Sequence, residues 1–198
     1  MRLIKIYTAI FAILITIFGC SSSNQVVKNS KVTNSNLELK YLDSNFRNKA
    51  LNYLNSIRIS GTKCMRAAPP LKYNIDLEKA AFAHARDMAI NNSLQHTGSG
   101  TSSDIAKKSY NQGSIFYERI QYFGYPIKAY DLAGETITYT KANKDLYSAY
   151  KEAIKKLIHD PEHCKILMNP RFQNVGISYY KTKDRYYWVI NLAENRIK

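Results

Sequence analysis

The sequence predicts an α+β domain, and three observations carry that class. Residues 43–59 and 76–89 place apolar side chains at helical spacing, and a third stretch does so from Lys144 to about Ile158. The chain then closes on two strand-like runs, Val175 to Tyr180 and Tyr186 to Leu192, separated by the turn-rich Lys181-Thr182-Lys183-Asp184. Helices that precede a terminal hairpin are expected to layer against its sheet. The 198 residues suit one ordinary domain with a short extra segment, and no internal repeat at a fixed period is visible. With 45% hydrophobic and 22% charged residues, wholesale disorder, a collagen-like repeat and a multi-span membrane protein are disfavoured.

The N-terminus reads as an export signal. Arg2 and Lys5 are followed by an apolar run from Ile6 to Phe18, far short of the roughly 20 residues that a spanning helix needs. The run ends in Ile17-Phe18-Gly19-Cys20 before three serines. This resembles a bacterial lipobox, with Phe18 bulkier than usual, and implies a diacylglyceryl group on Cys20; the alternative is a plain signal peptide with a chance cysteine. Residues 1–19 are then the signal, and losing Arg2 and Lys5 leaves a formal charge of +12 from the full chain's +14. Residues 20–41, rich in Ser, Asn, Lys and Val without apolar periodicity, read as a flexible tether.

The domain is expected over residues 42–194, with 195–198 as a tail. In its first helix Phe46, Ala50, Leu51, Leu54 and Ile57 line one face, and Gly61 closes it. Pro69-Pro70-Leu71 is extended. Asp76 is the expected cap of a second helix rich in alanine, which permits close approach to a neighbouring layer. A polar loop from Asn91 to Ser103 carries His96. Pro161 ends the third helix.

Four segments in order resemble the CAP superfamily, the cysteine-rich secretory, antigen 5 and pathogenesis-related proteins. They are residues 81–89 with His96-Thr97-Gly98-Ser99; Gly134-Glu135-Thr136; Asp160-Pro161-Glu162-His163 leading into Ile166-Leu167-Met168-Asn169-Pro170; and Val175-Gly176-Ile177 with Tyr187-Trp188-Val189. The resemblance covers roughly 150 residues. It implies a three-layer α-β-α sandwich with a central antiparallel sheet and a shallow cleft at one end. The family's cleft tetrad maps onto His96, Glu135 and His163, with Asp160 at the acidic fourth position. Thr136, Leu157 and Glu162 depart from the residues usual in the family.

Two imidazoles with one or two carboxylates are suitable ligands for Zn²⁺ or another divalent cation, and His96, Glu135, His163 and Asp160 are the candidate metal set. The same groups could perform acid–base work or simply knit loops together by hydrogen bonds. Catalysis is disfavoured because no activated nucleophile presents itself: Ser99 lacks a nucleophile-elbow pattern. CAP proteins, too, share no common enzymatic activity. His84, mid-helix among alanines, reads as a core histidine, and His159 as a cation at a helix C-terminus.

Cys64 and Cys164 remain as an even pair that could form a disulfide in an exported domain, with Cys164 as a metal thiolate the minor alternative. Seven aromatics between Tyr110 and Tyr130 either pack the core or line an apolar groove. The basic charge lacks any nucleic-acid-binding motif, so nucleic acid is not an expected partner. The expected protein is a monomeric lipoprotein on a bacterial outer membrane or cell surface, anchored in the bilayer through Cys20. It acts as a non-enzymatic binding module for a lipid, a sterol or another apolar small molecule, an anionic glycan or a host surface protein. The alternative is a metal-assisted hydrolase of envelope or host polymers.

Overall fold

The computed structural model describes residues 43–107, 112–128 and 131–194. The signal 1–19, the tether with Cys20, Leu42, the tail 195–198, Tyr110 and Tyr130 lie outside the described residues.

Helix α1 (Ser44–Ser60) starts where the Asp43 carboxylate accepts the Phe46 N–H at 2.6 Å. It ends at Gly61, whose φ of 75° would strain any residue with a side chain. Helix α2 (Ile75–Ile90) starts earlier than expected. Asn74, not Asp76, is its cap, accepting from the N–H groups of Asp76 and Leu77 at 2.9 and 3.0 Å. Asp76 falls inside the first turn, where its charge suits the positive end of the helix and pairs with Lys79 at 3.2 Å. Two short helices lay outside the sequence expectation, α3 (Phe116–Tyr122) and α5 (Pro161–Leu167); α4 is Leu146–His159. Pro161 stops α4 and also opens α5 as its first residue, a position where its missing N–H costs nothing.

Strands β1 (Lys72–Tyr73), β2 (Ala133–Lys141), β3 (Asn174–Lys181) and β4 (Arg185–Ala193) form one sheet in the order β1-β3-β4-β2. The expected hairpin is β3–β4, antiparallel, and β2 runs antiparallel to β4 on its other side. The short β1 pairs parallel with β3, Lys72 with Asn174 and Tyr73 with Val175, so the sheet is antiparallel over its long strands and mixed at one edge.

Alternation along β4 builds the layers. Tyr186, Trp188, Ile190 and Leu192 join Phe46, Leu54, Tyr150 and Ile154 in one core beneath α1 and α4. Tyr187, Val189 and Ala193 point the other way, onto Leu77, Ala80, Ala81, Ala85 and Met88 of α2. The implied α-β-α sandwich is therefore present. Small residues set its thickness on the α2 side: a methyl group on Gly176 would overlap the backbone of Leu77 and Glu78.

Two long-range ties fix the chain around α5. Cys64, in the loop after α1, forms a disulfide with Cys164, their Cα atoms 6.3 Å apart. The fully buried Arg58 donates to the carbonyls of Pro69 at 2.9 Å, Asn169 at 3.2 Å and Leu167, holding the turn that follows α5.

Candidate functional site

The loop that carries His96 is built around two buried aspartates. Asp87 of α2 accepts the Ser99 N–H at 2.8 Å, the Ser99 hydroxyl at 2.6 Å and the Asn91 amide at 3.0 Å. Asp104 accepts the Ser114 N–H and hydroxyl at 2.8 and 2.6 Å and the Gly100 N–H at 3.2 Å. Within residues 98–103, Ser99, Gly100 and Ser103 supply hydroxyls or an unhindered N–H to these carboxylates.

Glu135 sits near the start of β2, buried, on the face that meets α2. Its Oε1 accepts from His96 Nδ1 at 2.9 Å. A carboxylate only accepts, so Nδ1 carries the proton of this bond and Nε2 points away from Glu135. Arg119 of α3, also buried, donates from Nη2 to Glu135 Oε1 and Oε2 at 3.1 and 2.9 Å and to the His96 carbonyl at 2.8 Å. Its Nη1 donates to the Ser114 carbonyl at 2.6 Å. Burial alone would raise the Glu135 pKa; Arg119 first, then the His96 hydrogen bond, outweigh it and hold the carboxyl below its usual value.

His84 lies beneath this group, buried, with Nε2 donating to the Gln95 carbonyl at 2.9 Å and 3.8 Å from Glu135 Oε1. Its Nδ1 has no hydrogen-bond partner, and burial lowers its pKa, so the ring is kept neutral. It is the core histidine expected from its setting, with a second role as a neighbour of Glu135. His159 is exposed at the end of α4, its Nδ1 donating to the Lys155 carbonyl at 2.9 Å.

His163 stands in the first turn of α5. Asp160 caps that helix, accepting the N–H groups of Glu162 and His163 at 3.0 Å each, and its Oδ1 lies 3.1 Å from His163 Nδ1. The His163 N–H bond above all holds the Asp160 pKa below its usual value. The His96 and His163 rings are 6.2 Å apart, centroid to centroid, tilted by 30°.

The four predicted residues therefore gather at one end of the sheet, but not as one ligand cage. Among the described residues no three His, Cys, Asp or Glu side chains come close enough to hold one ion. The carboxylates stand behind the imidazoles: Glu135 is taken by Arg119, and Asp160 by the N-terminus of α5. What is left is a pair of imidazoles, each with a carboxylate at Nδ1. Cys164 is occupied by its disulfide.

Beside the histidines an open cleft of about 400 Å³ is floored by Phe116, Leu132, Ile166 and Phe172, with His96, Lys165 and Glu162 among its lining groups. Lys165 and Glu162 pair at 2.7 Å. Of the aromatic segment, Phe116 lines this cleft, Tyr125 is buried, and Tyr122 is exposed, so the segment divides between core and groove. Arg119 was missed. Its only sequence signal is that it is the one basic residue of the aromatic-rich run 115–125.

The model of the CAP family, the cysteine-rich secretory proteins, matches residues 51–192. The chain belongs to the CAP family. No curated protein matches the sequence. This CAP domain is similar to an extracellular SCP-domain protein of Bacillus anthracis, at 20% identity and a TM-score of 0.56, over 75% of this chain but 40% of that one. It is similar to an outer surface protein of Borrelia burgdorferi, at 15% identity and a TM-score of 0.55, over 78% of this chain and 97% of that one. NaASP2, solved with Zn²⁺, matches at 15% identity and a TM-score of 0.47, over 78% of this chain and 82% of that one. The first two likenesses share the CAP fold.

Proposed function

We propose that this CAP protein is a lipid-anchored, surface-exposed binding module, non-enzymatic, whose cleft takes a small apolar or amphipathic ligand beside a divalent cation. The observation that carries the reading is the matched pair of imidazoles, His96 on Glu135 and His163 on Asp160, of which His96 also lines the cleft with the apolar floor. A carboxylate at Nδ1 orients a histidine and raises its basicity as a metal ligand through Nε2. The donor set fits an ion held by His96 and His163 and completed by solvent or ligand, and it does not fit one caged by the carboxylates. When bound, such an ion supplies a Lewis-acidic contact to a ligand oxygen.

The protein's own groups support binding over turnover. The Ser99 hydroxyl is spent on Asp87, and Arg119 holds the nearest carboxylate as an ion pair. Anchoring rests on Cys20 and its lipobox context, and the names of the two relatives with the shared fold, extracellular and outer surface, agree with an exported setting.

The test is calorimetric titration of Zn²⁺ into the metal-stripped chain. One ion per chain is expected, with His96→Ala and His163→Ala each removing binding while the far-ultraviolet spectrum is unchanged. Free Zn²⁺ at a hundredfold excess over Kd should add about 2.7 kcal/mol of stability. No heat of binding, and a Tm indifferent to chelator, would reject the metal site.

A further inference from the structure

The end of the sheet away from the histidines is highly basic. Along β2, Glu135 and Lys141 are separated by six residues of extended chain, about 20 Å. Over residues 139–156 and 181–185, 8 Lys and Arg stand against 3 Asp and Glu. In the antiparallel register Lys141 lies directly opposite Arg185, so their exposed side chains share a face of the sheet. Like charges in that relation repel and lower stability. A lysine on an edge strand is useful against unwanted sheet pairing, and β2 is an edge strand. That purpose needs one cation, not an opposed pair.

The cations are also held in place. The Arg185 guanidinium lies 4.6 Å from the centroid of the Tyr139 ring, and Lys156 Nζ lies 5.4 Å from it while donating to the Tyr139 carbonyl at 3.0 Å. Lys181 Nζ lies 5.2 Å from the Tyr186 ring, whose hydroxyl donates to the Lys144 carbonyl at 3.5 Å. Of the three acidic groups, Asp145 caps α4, while Glu152 pairs with Lys144 at 2.7 Å and Lys156 at 3.4 Å and offsets that part of the charge, leaving Lys141, Lys181 and Arg185 outside its reach. Two like charges in register, with fixed cations around them, are a local conflict that a bound anion would relieve.

We propose that this end of the sheet binds a linear anionic glycan, its sulfate or carboxylate groups lying along Lys141 and Arg185 on the face toward α2 and reaching Lys181, on the other face, across the end of the hairpin. An anionic bilayer fits less well. Within these segments the only large apolar side chain that is exposed is Tyr139, already engaged by two cations, so the patch offers no aliphatic group to insert between lipids. The site is separate from the histidine cleft and stands or falls independently of it.

The experiment measures binding of a size-defined heparin oligosaccharide to the full chain in neutral detergent by titration calorimetry. Affinity should fall about a hundredfold between 50 and 200 mM NaCl, as when roughly four or five cations displace counterions from a linear polyanion. Lys141→Gln, Lys181→Gln and Arg185→Gln combined should weaken binding roughly tenfold or more. Lys49→Gln, Lys63→Gln and Lys72→Gln, which remove the same charge elsewhere, should change it by about twofold or less. Lys141→Gln alone should keep or raise Tm, separating lost binding from lost folding, and His96→Ala should leave glycan affinity unchanged. Equal losses in the two triple variants overturn the proposal. So does absence of binding at 50 mM salt, or binding to phosphatidylserine vesicles without binding to the glycan.

Discussion

A single nitrogen of Arg119, Nη2, serves both carboxylate oxygens of Glu135, at 3.1 and 2.9 Å, in a site that solvent barely reaches. The two partners are not equally exposed to loss. Arg119 has the carbonyls of His96 and Ser114 to fall back on, whereas Glu135 without Arg119 keeps only the His96 N–H among its close partners. Arg119→Met should therefore destabilise the fold by about 3–5 kcal/mol, the cost of an uncompensated buried charge. Glu135→Gln, which retains an acceptor, should cost about 1–3 kcal/mol. Urea denaturation of the two variants checks the order, and equal losses would contradict the asymmetry.

The same network makes the fold acid-sensitive in two stages. Burial lowers the His84 pKa below its ordinary 6.5, so once pH falls beneath that value the unfolded chain takes up a proton that the folded chain refuses, and stability declines. Glu135, also lowered in the fold, contributes stability that is fully present above its ordinary 4.5 and is lost as pH falls from there through its folded pKa. Chemical denaturation from pH 8 to 3 should show both declines. His84→Gln, whose amide can still donate to the Gln95 carbonyl, should flatten the upper stage and leave the lower one. An unchanged profile would show that His84 does not titrate on unfolding.

What the sequence reveals of this fold depends on whether a signal is local. α1 is legible because one stripe of apolar residues faces one core, and the β3–β4 hairpin because two largely apolar and aromatic runs flank a polar turn. β2 is harder to see: Glu135, Thr136 and Thr140 are polar yet buried, so alternation of polar with apolar residues does not mark its buried faces. The cap of α2 passed from Asp76 to Asn74 because both are good caps and only the path from β1 decides between them. In the site, His96, Glu135, His163 and Asp160 stand in recognisable motifs, whereas Arg119 gains its role from a contact 16 residues along the chain that periodicity cannot foresee. The carboxylates' place behind the imidazoles is likewise a tertiary fact.

Anchoring can be tested apart from the fold. If Cys20 carries lipid, Cys20→Ser removes the attachment and leaves the domain's packing untouched, since two or more acyl chains are what make membrane binding stable. In detergent phase partitioning, the unaltered chain should enter the detergent phase and Cys20→Ser the aqueous phase, both with the same Tm for the domain. A chain that partitions identically in both forms is held by something other than this cysteine.

The disulfide between Cys64 and Cys164 closes a separation of 100 residues and joins the loop after α1 to the helix that carries His163. Cross-linking so long a loop restricts the unfolded chain, and removing a native disulfide costs about 2–5 kcal/mol. Reductant should therefore lower the unfolding free energy by about that amount, while Cys64→Ser with Cys164→Ala should start low and not respond. Thr62 keeps its hydroxyl 3.2 and 3.4 Å from the two sulfurs, so the bond is packed against the loop that it closes. Because Cys164 directly follows His163, the double variant should also loosen the spacing of the cleft histidines, weakening Zn²⁺ binding while leaving the Arg119–Glu135 pair intact. Urea denaturation with and without reductant, run beside the zinc titration, reads both effects. Stability indifferent to reductant would mean that α5 is held by the Arg58 carbonyl contacts alone.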